Sequence, residues 1–363
     1  ETYNIPIENM AFVGDDFFDL SIIKKLNYTY CPSNSPRILK DNCLEVIDVK
    51  SGEGVIMKLY DLLNKSGYIK DASEEDVLEL EGPILITALD KHHRELGMKL
   101  LDQGAFIVVH DPTELRNPEF RKVINPSQVI VIRKSMLEHM PEATFLLHPY
   151  LPVGATDPLD LNNWKNRQHQ AISVSRLDFD KNSDWLFEAN RLLPENNQII
   201  IRGAENRMYT KTKIIPKYSE YKQDSNRSEE ERAIYPLEMR GAVNLCKTAR
   251  YMTDFSVIQG DGGGTQYTFL EAIDAGAICL LHREWIKSKD SMIDEGIDQN
   301  CLSFANWKHL AKFLNGTMTD TMAVQIRANA LKLLQKHDGV RVAQQYYNTV
   351  VGGWAKSLVG PVT

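Results

Sequence analysis

The chain holds only five cysteines, Cys31, Cys43, Cys246, Cys279 and Cys301, and none of them form a Cys-x-x-Cys pair. That scatter removes the usual zinc spacings and gives no disulfide framework, so we read the thiols as reduced and mostly buried. No stretch approaches ~18 uninterrupted apolar residues, and no segment has the pattern of a secretory signal. A cytoplasmic protein without a membrane span is therefore expected. Clustered basic charge is also missing. A net charge of −7 argues against a globally electrostatic grip on nucleic acid, although a local basic groove is compatible with it. There is no repeat of fixed period and no low-complexity tract.

What is present is ordinary globular composition: 363 residues, 43% apolar and 25% charged. That length favours two or three domains over a single core. Two composition changes divide the chain. The first is the acidic stretch Lys70-Asp71-Ala72-Ser73-Glu74-Glu75-Asp76, and the second is Leu151-Pro152-Val153-Gly154-Ala155-Thr156-Asp157-Pro158, which reads as a hinge. We expect segments 1–70, 71–155, 156–340 and a C-terminal helix with tail at 341–363.

Between the two marks, Pro83–Thr87, Phe106–His110, Gln128–Ile132 and Thr144–His148 are short apolar runs, with a helical pattern from His93 to Gln103 ended by Gly104. Beyond the hinge come strand-like Ala171–Ser175, helical Asp184–Leu193, strand-like Gln198–Ile201 and Val257–Ile258, helical Tyr267–Ala275 and strand-like Ala277–Leu281. Continuous apolar strands alternating with helices indicate parallel sheets covered on both faces. Two doubly wound α/β units in tandem are the expected fold. The charged stretch Tyr218–Arg232 reads as an exposed loop or an extended helix start, and Met322–Tyr347 as a long amphipathic pattern packing back on the sheet.

Ligands of open α/β sheets bind at the carboxyl ends of strands, where loops and helix N-termini present N–H groups to anions. The run Ala171–Ser175 is followed by Arg176-Leu177-Asp178-Phe179-Asp180-Lys181, a guanidinium and an ammonium at one strand-to-helix turn that can clamp a diphosphate. On spacing alone a solvated charged loop reads the same way. The segment Gly260-Asp261-Gly262-Gly263-Gly264-Thr265-Gln266 then precedes a helix carrying Glu271 two turns in. Successive glycines permit close backbone approach to a phosphate, the helix terminus adds partial positive charge, and Glu271 can accept from vicinal hydroxyls. A flexible turn with a surface glutamate is the bland alternative.

Taken in order, Ser175-Arg176, Lys181, the glycine turn and Leu270-Glu271-Ala272 before Gly276 resemble the donor half of retaining two-domain (GT-B) glycosyltransferases, from about Ala171 to Gln335. The resemblance implies that Arg176 and Lys181 bind a nucleotide diphosphate, that Gly263, Gly264, Thr265 and Gln266 meet the phosphates, and that Glu271 holds the ribose. It carries His110 and Asp111 over as catalytic residues at a strand end facing the cleft, and makes His148 structural. Gly263 stands where many members carry a first glutamate, which shifts the sugar contact elsewhere, to Asp261 or to backbone N–H groups. Tyr267-Thr268-x-Leu270-Glu271 is also similar to phage DNA α-glucosyltransferases.

Near the N-terminus, Met10–Val13 followed by Gly14-Asp15-Asp16-Phe17-Phe18-Asp19 resembles the last motif of haloacid dehalogenase (HAD)-type sugar-phosphate phosphatases, a likeness that continues to Leu63. It implies Asp15 and Asp16 as Mg²⁺ ligands. The family's nucleophilic aspartate lies upstream of this motif, so a phosphatase would need sequence before Glu1. Residues 44–70 fit either this fragment or the transferase sheet. The expected fold is thus two Rossmann-like GT-B units behind an HAD-like α/β fragment. The expected activity is transfer of a sugar from a nucleotide sugar, UDP-linked, to a glycan or a modified DNA base, with no cofactor required. A phosphatase and a non-catalytic nucleotide-sugar module are the rival readings. For DNA, Arg116, Arg121, Lys122, Arg133 and Lys134 would line the cleft rim.

Overall fold

The computed structural model describes residues 10–51, 55, 58–59, 62–63, 74–79, 82–87, 94–110, 118–152, 157–218, 221, 241–256, 265–287 and 299–359. The chain divides into two compact units, 1–79 and 80–363. Both are α/β with parallel sheets.

The first unit is built on β1 (Ala11–Val13), β2 (Tyr28–Pro32) and β3 (Glu45–Ile47), hydrogen-bonded in that order and all parallel. Its small core joins Ile23, Cys31 and Leu39. Pairing of Tyr30 to Pro32 with Glu45 to Ile47 puts β3 in this sheet, so residues 45–47 belong to the N-terminal fragment.

The second unit contains two further sheets. Strands β4 (Leu85–Ile86), β5 (Phe106–Val109), β6 (Val129–Val131) and β7 (Thr144–Phe145) pair in sequence order, all parallel. Every residue of β5 and β6 is buried, which is why both read as unbroken apolar runs. One face packs on Leu101, Phe120 and Met136; the other is covered by Val350 and Tyr346 of the C-terminal helix Gly339–Val359. That helix returns to this sheet as the sequence suggested. The pattern over Met322–Tyr347 spans two helices, Asp320–Lys336 and Gly339–Val359. The break falls at His337, where Tyr150 N donates to the His337 carbonyl (2.8 Å) and Tyr150 bridges to Asp338.

The second sheet runs β12-β11-β10-β8-β9, where β8 is His169–Val174, β9 Ile199–Arg202, β10 Ala249–Asp254, β11 Ile278–His282 and β12 Leu302–Phe304. All pairs are parallel. Helices Tyr267–Asp274 and Asp320–Lys336 cover one face, and Ser183–Asn190 with Trp307–Leu314 the other, so the unit is doubly wound. The chain leaves β8 toward β9 on one side and returns to β10 on the other. A topological switch point therefore lies between β8 and β10, where open α/β sheets hold ligands.

One strand was not expected from the sequence, and one sequence expectation is corrected. The strand beside β8 is Ala249–Asp254, upstream of the expected Val257–Ile258, which lies outside the described residues. Its sequence, Ala-Arg-Tyr-Met-Thr-Asp, carries three polar residues and has no continuous apolar run. Tyr218, expected on an exposed loop, is 1% exposed and donates to Glu188 (2.9 Å), holding the segment after Thr210 against the helix Ser183–Asn190.

At the end of the sheet away from the switch point, Gly276 has φ +70°, and a Cβ there would lie 2.8 Å from the Pro158 carbonyl. Its glycine is thus set by backbone geometry and by a close approach. No helix among the described residues is long and apolar enough to cross a membrane.

Candidate functional site

The turn after β8 is held in place by its own polar side chains. Asp178 accepts from Phe179 N (2.8 Å) and from Asn206 Nδ2 (2.8 Å), which ties it to the segment following β9. Asn182 closes the turn in the left-handed region (φ 45°, ψ 39°) and donates to the Phe255 carbonyl (3.1 Å), which ties it to the segment following β10. Asparagine tolerates this backbone better than most residues because its short side chain bonds locally. The cationic turn is thereby fixed to both neighbouring strands.

On this turn Arg176 lies 3.6 Å from Asp178 and 3.7 Å from Asp180, and Lys181 lies 3.6 Å from Asp180. The Arg176 side chain is 64% exposed and that of Lys181 only 11%. Ion pairs of this length near water contribute about 0–1 kcal/mol, so an incoming diphosphate can displace them.

Arg176 and Lys181 line one cavity of about 280 Å³ together with Gln266 and Thr268 from the start of the helix Tyr267–Asp274. The same cavity is walled by Gly203 and Ala204 after β9 and by Asp254 at the end of β10. It sits at the switch point, with the helix N-terminus facing the two cations. That arrangement suits an anion. Larger cavities of about 510 and 360 Å³ lie elsewhere, one against Phe106 and the C-terminal helix, one beside Cys301 and Met322. Among the described residues neither is lined by a Lys or Arg side chain.

Among the other residues expected in a donor site, Thr265 is 6% exposed at the entry to the helix. Gly263, Gly264, Asp261 and Asp111 lie outside the described residues, as does Arg116.

Glu271 is the fifth residue of its helix, just over one turn in rather than two. Its Oε2 is buried without a hydrogen-bond partner among the described residues. Burial, with the nearby Asp274 charge second, pushes its carboxyl up to about 7. Asp274 is 3% exposed and accepts from the Tyr150 hydroxyl (3.0 Å).

The sign of this effect gives a test. A carboxyl whose folded value lies above its unfolded one costs stability as pH rises from the unfolded value, near 4.5, to about 7. Glu271→Gln should remove that cost and raise stability at neutral pH by about 2 kcal/mol, discounted for partial wetting of the side chain. Urea midpoints at pH 4.5 and 7.5 measure it; an equal gain or loss at both pH values would refute the assignment.

His110 follows β5 at its carboxyl end, with its ring centroid 6.4 Å from that of His148. His148 in turn packs edge-on against Tyr267 (5.0 Å), and the Tyr267 hydroxyl donates to the Pro149 carbonyl (2.6 Å). A row of rings thus joins the first Rossmann-like sheet to the first residue of the helix bearing Glu271. His148 is held by His337 Nδ1 on its carbonyl (2.8 Å), and burial pushes its imidazole down to about 3. It is a neutral packing residue, in keeping with the structural part expected for it. Of the basic residues considered for a nucleic-acid rim, Lys134 lies over the Phe145 ring at 5.6 Å.

In the N-terminal unit, Asp16 caps the short helix Phe17–Asp19, accepting from Phe17 N (2.5 Å), while Asp19 accepts from Asp15 N (2.9 Å) and Asp16 N (3.1 Å). The Ser51 hydroxyl donates to Asp15. A Cβ on Gly14 would run into Asp19, so this glycine serves the turn itself. Among the described residues no three His, Cys, Asp or Glu side chains meet as a metal site; the Asp16 carboxylate caps the short helix and the Asp15 carboxylate accepts from Ser51. All five cysteines are free thiols, four buried and Cys43 partly so.

Sequence reading missed Gly203 and Asp254 in the cavity. A Cβ on Gly203 would collide with the Ser175 carbonyl, so only glycine lets the chain after β9 pass the chain after β8. A lone glycine at a strand end carries no such signal by itself. Asp254 went unseen because its strand did.

No protein-family model and no curated protein sequence matches the chain. Solved structures do. HepE of Anabaena in complex with UDP-glucose is similar over 94% of this chain and 98% of its own, at 14% identity and a TM-score of 0.52. The same protein with UDP and glucose matches 91% and 94%, at 15% identity and a TM-score of 0.53. A UDP-forming α,α-trehalose-phosphate synthase from Burkholderia vietnamiensis matches 77% of this chain and 74% of its own, at 11% identity and a TM-score of 0.50. At these identities what is shared is the architecture: the chain has the α/β, parallel-sheet GT-B fold of these proteins.

Proposed function

We propose that the chain is a glycosyltransferase that takes a nucleotide-activated sugar, UDP-linked, and transfers the sugar with retention to a hydroxyl acceptor. The observation that carries this reading is the joining of Arg176, Lys181 and the N-terminus of the helix Tyr267–Asp274 on one cavity at the switch point. The fold neighbours whose structures hold UDP, or UDP-glucose, support it.

In the proposed reaction the bond between the sugar's anomeric carbon and the diphosphate breaks while a bond to the acceptor oxygen forms. The acceptor's proton passes to the departing phosphate oxygen. Arg176 and Lys181 stabilise the charge that develops on the leaving diphosphate. The backbone that carries them needs no repositioning, since Asp178, Asn206 and Asn182 already fix the turn. Glu271 accepts from the ribose hydroxyls, which would supply the partner that Oε2 lacks. His110 positions the acceptor against the anomeric carbon, with Asp111 beside it in sequence. Gly263, Gly264, Thr265 and Gln266 complete the phosphate cradle. The acceptor is a glycan or a modified DNA base.

Thermal unfolding in the presence of UDP, GDP and CMP sugars tests this. UDP sugars should raise the midpoint of the wild type by several degrees, as expected for a ligand well above its dissociation constant, and shift Glu271→Ala little. If no nucleotide sugar stabilises the wild type, the reading fails. A transferase also consumes its donor, whereas a non-catalytic module would bind without releasing UDP.

A further inference from the structure

The cation-lined cavity contains one residue that a diphosphate site does not call for. Asp254, at the carboxyl end of β10, is 3% exposed and shares the cavity wall with Arg176 and Lys181. A carboxylate there opposes a phosphate ligand unless it serves another part of the molecule. No ion pair joins it to either cation among the described residues, although Asp178 and Asp180 do pair with Arg176.

Its geometry is asymmetric. Oδ1 accepts from Ser256 N (2.7 Å) and from the Ser256 hydroxyl, and Ser256 is itself fully buried. Oδ2 accepts from none of the described residues. A carboxylate has about four acceptor positions, and burying an ionised one without donors is costly. The side chain is thus locked by one oxygen, with its second acceptor unused at a cavity wall.

We propose that Asp254 is a specificity-determining residue of the donor site, its Oδ2 accepting a hydrogen bond from an uncharged N–H or O–H group of the nucleotide sugar. This rests on the nucleotide-sugar reading above. The carboxylate rewards a donor group and penalises bare phosphate, so it separates nucleotide sugars from the inorganic and sugar phosphates that the cations alone would also attract. The donor hydrogen comes either from the nucleoside or from a sugar hydroxyl.

Asp254→Asn is the informative change. Asn keeps an Oδ1 for Ser256 N, so the local turn is preserved, but places an N–H₂ donor against the ligand's donor. Titration calorimetry of wild type and variant with pyrophosphate, UDP and UDP-glucose distinguishes the cases. Pyrophosphate should bind the variant as well as or better than the wild type, while UDP-glucose should bind about 10- to 100-fold more weakly, the loss expected for a charge-assisted hydrogen bond. A loss shared by UDP assigns the donor hydrogen to the nucleoside; a loss confined to UDP-glucose assigns it to the sugar. Equal affinities of wild type and variant for all three probes would overturn the proposal and leave the nucleotide-sugar reading standing. If the wild type takes up none of them, that reading falls and this one with it. Asp254→Glu, with the same charge and a longer reach, should not recover UDP-glucose affinity, and unaltered unfolding midpoints confirm that each variant is folded.

Discussion

Replacing Arg176 and Lys181 together by alanine is expected to weaken UDP and UDP-glucose binding at least about 100-fold. Each side chain would contribute a charge-assisted hydrogen bond to phosphate, about 1.5–3 kcal/mol apiece, and the two are not interchangeable. Lys181, nearly buried, acts as a fixed point charge, whereas the exposed Arg176 can swing from Asp178 and Asp180 onto the ligand. The wild-type affinity should therefore fall with added salt while the residual affinity of the double variant stays flat. Asp180→Asn should tighten binding modestly, because it frees both cations from a competing carboxylate. Titration calorimetry at low and high salt reads all three; a double variant that binds UDP like the wild type would remove the cations from the site.

The second large effect is expected at Gly203. Its neighbour across the turn is backbone, the Ser175 carbonyl and the Arg176 Cα (3.3 Å from a Cβ), so no side chain can rotate away. Gly203→Ala must push apart the chains that follow β8 and β9. Overpacking of this kind costs about 1–3 kcal/mol of stability. Because the displaced chain carries Arg176, donor affinity should drop as well, by about 10-fold or more. Gly352→Ala is the matched control: nothing lies within 4 Å of a Cβ there, and it sits in the helix Gly339–Val359. It should be neutral or stabilise by up to about 1 kcal/mol. Urea unfolding of the pair checks this, and a Gly203→Ala protein as stable as Gly352→Ala would contradict the close approach described here.

The two cases also mark what sequence could and could not reveal. Arg176 and Lys181 were legible because β8 is an unmistakable apolar run and both residues fall at its end. Gly203 follows an equally clear run, but the reason it must be glycine is a carbonyl from another loop, and no local pattern encodes that contact. β10 hid itself by its polarity. Arg250, Thr253 and Asp254 interrupt it, because Arg250 reaches the Lys165 carbonyl, Thr253 donates to the Ile172 carbonyl (3.3 Å), and Asp254 faces the cavity. A strand that supplies functional groups at its end loses the apolar signature by which strands are found. The C-terminal helix was expected to begin at 341; it begins at Gly339, after a break at His337 whose carbonyl accepts from Tyr150 N and which no proline marks. In the N-terminal unit the acidic motif was visible at once; in the fold Asp16 caps a short helix, Asp19 holds the turn and Asp15 accepts from Ser51.

Amide hydrogen exchange on adding UDP-glucose tests the placement of the donor site most directly. Backbone amides that meet a ligand, or lie in loops it orders, exchange more slowly when it binds. Protection is predicted in three segments far apart in sequence, Ser175–Asn182, Gly203–Glu205 and Gln266–Phe269, with the cavity beside Phe106 and the acidic turn at Asp15 unchanged. Protection confined to other segments, or none at saturating UDP-glucose, would contradict a nucleotide-sugar site at the carboxyl ends of β8, β9 and β10.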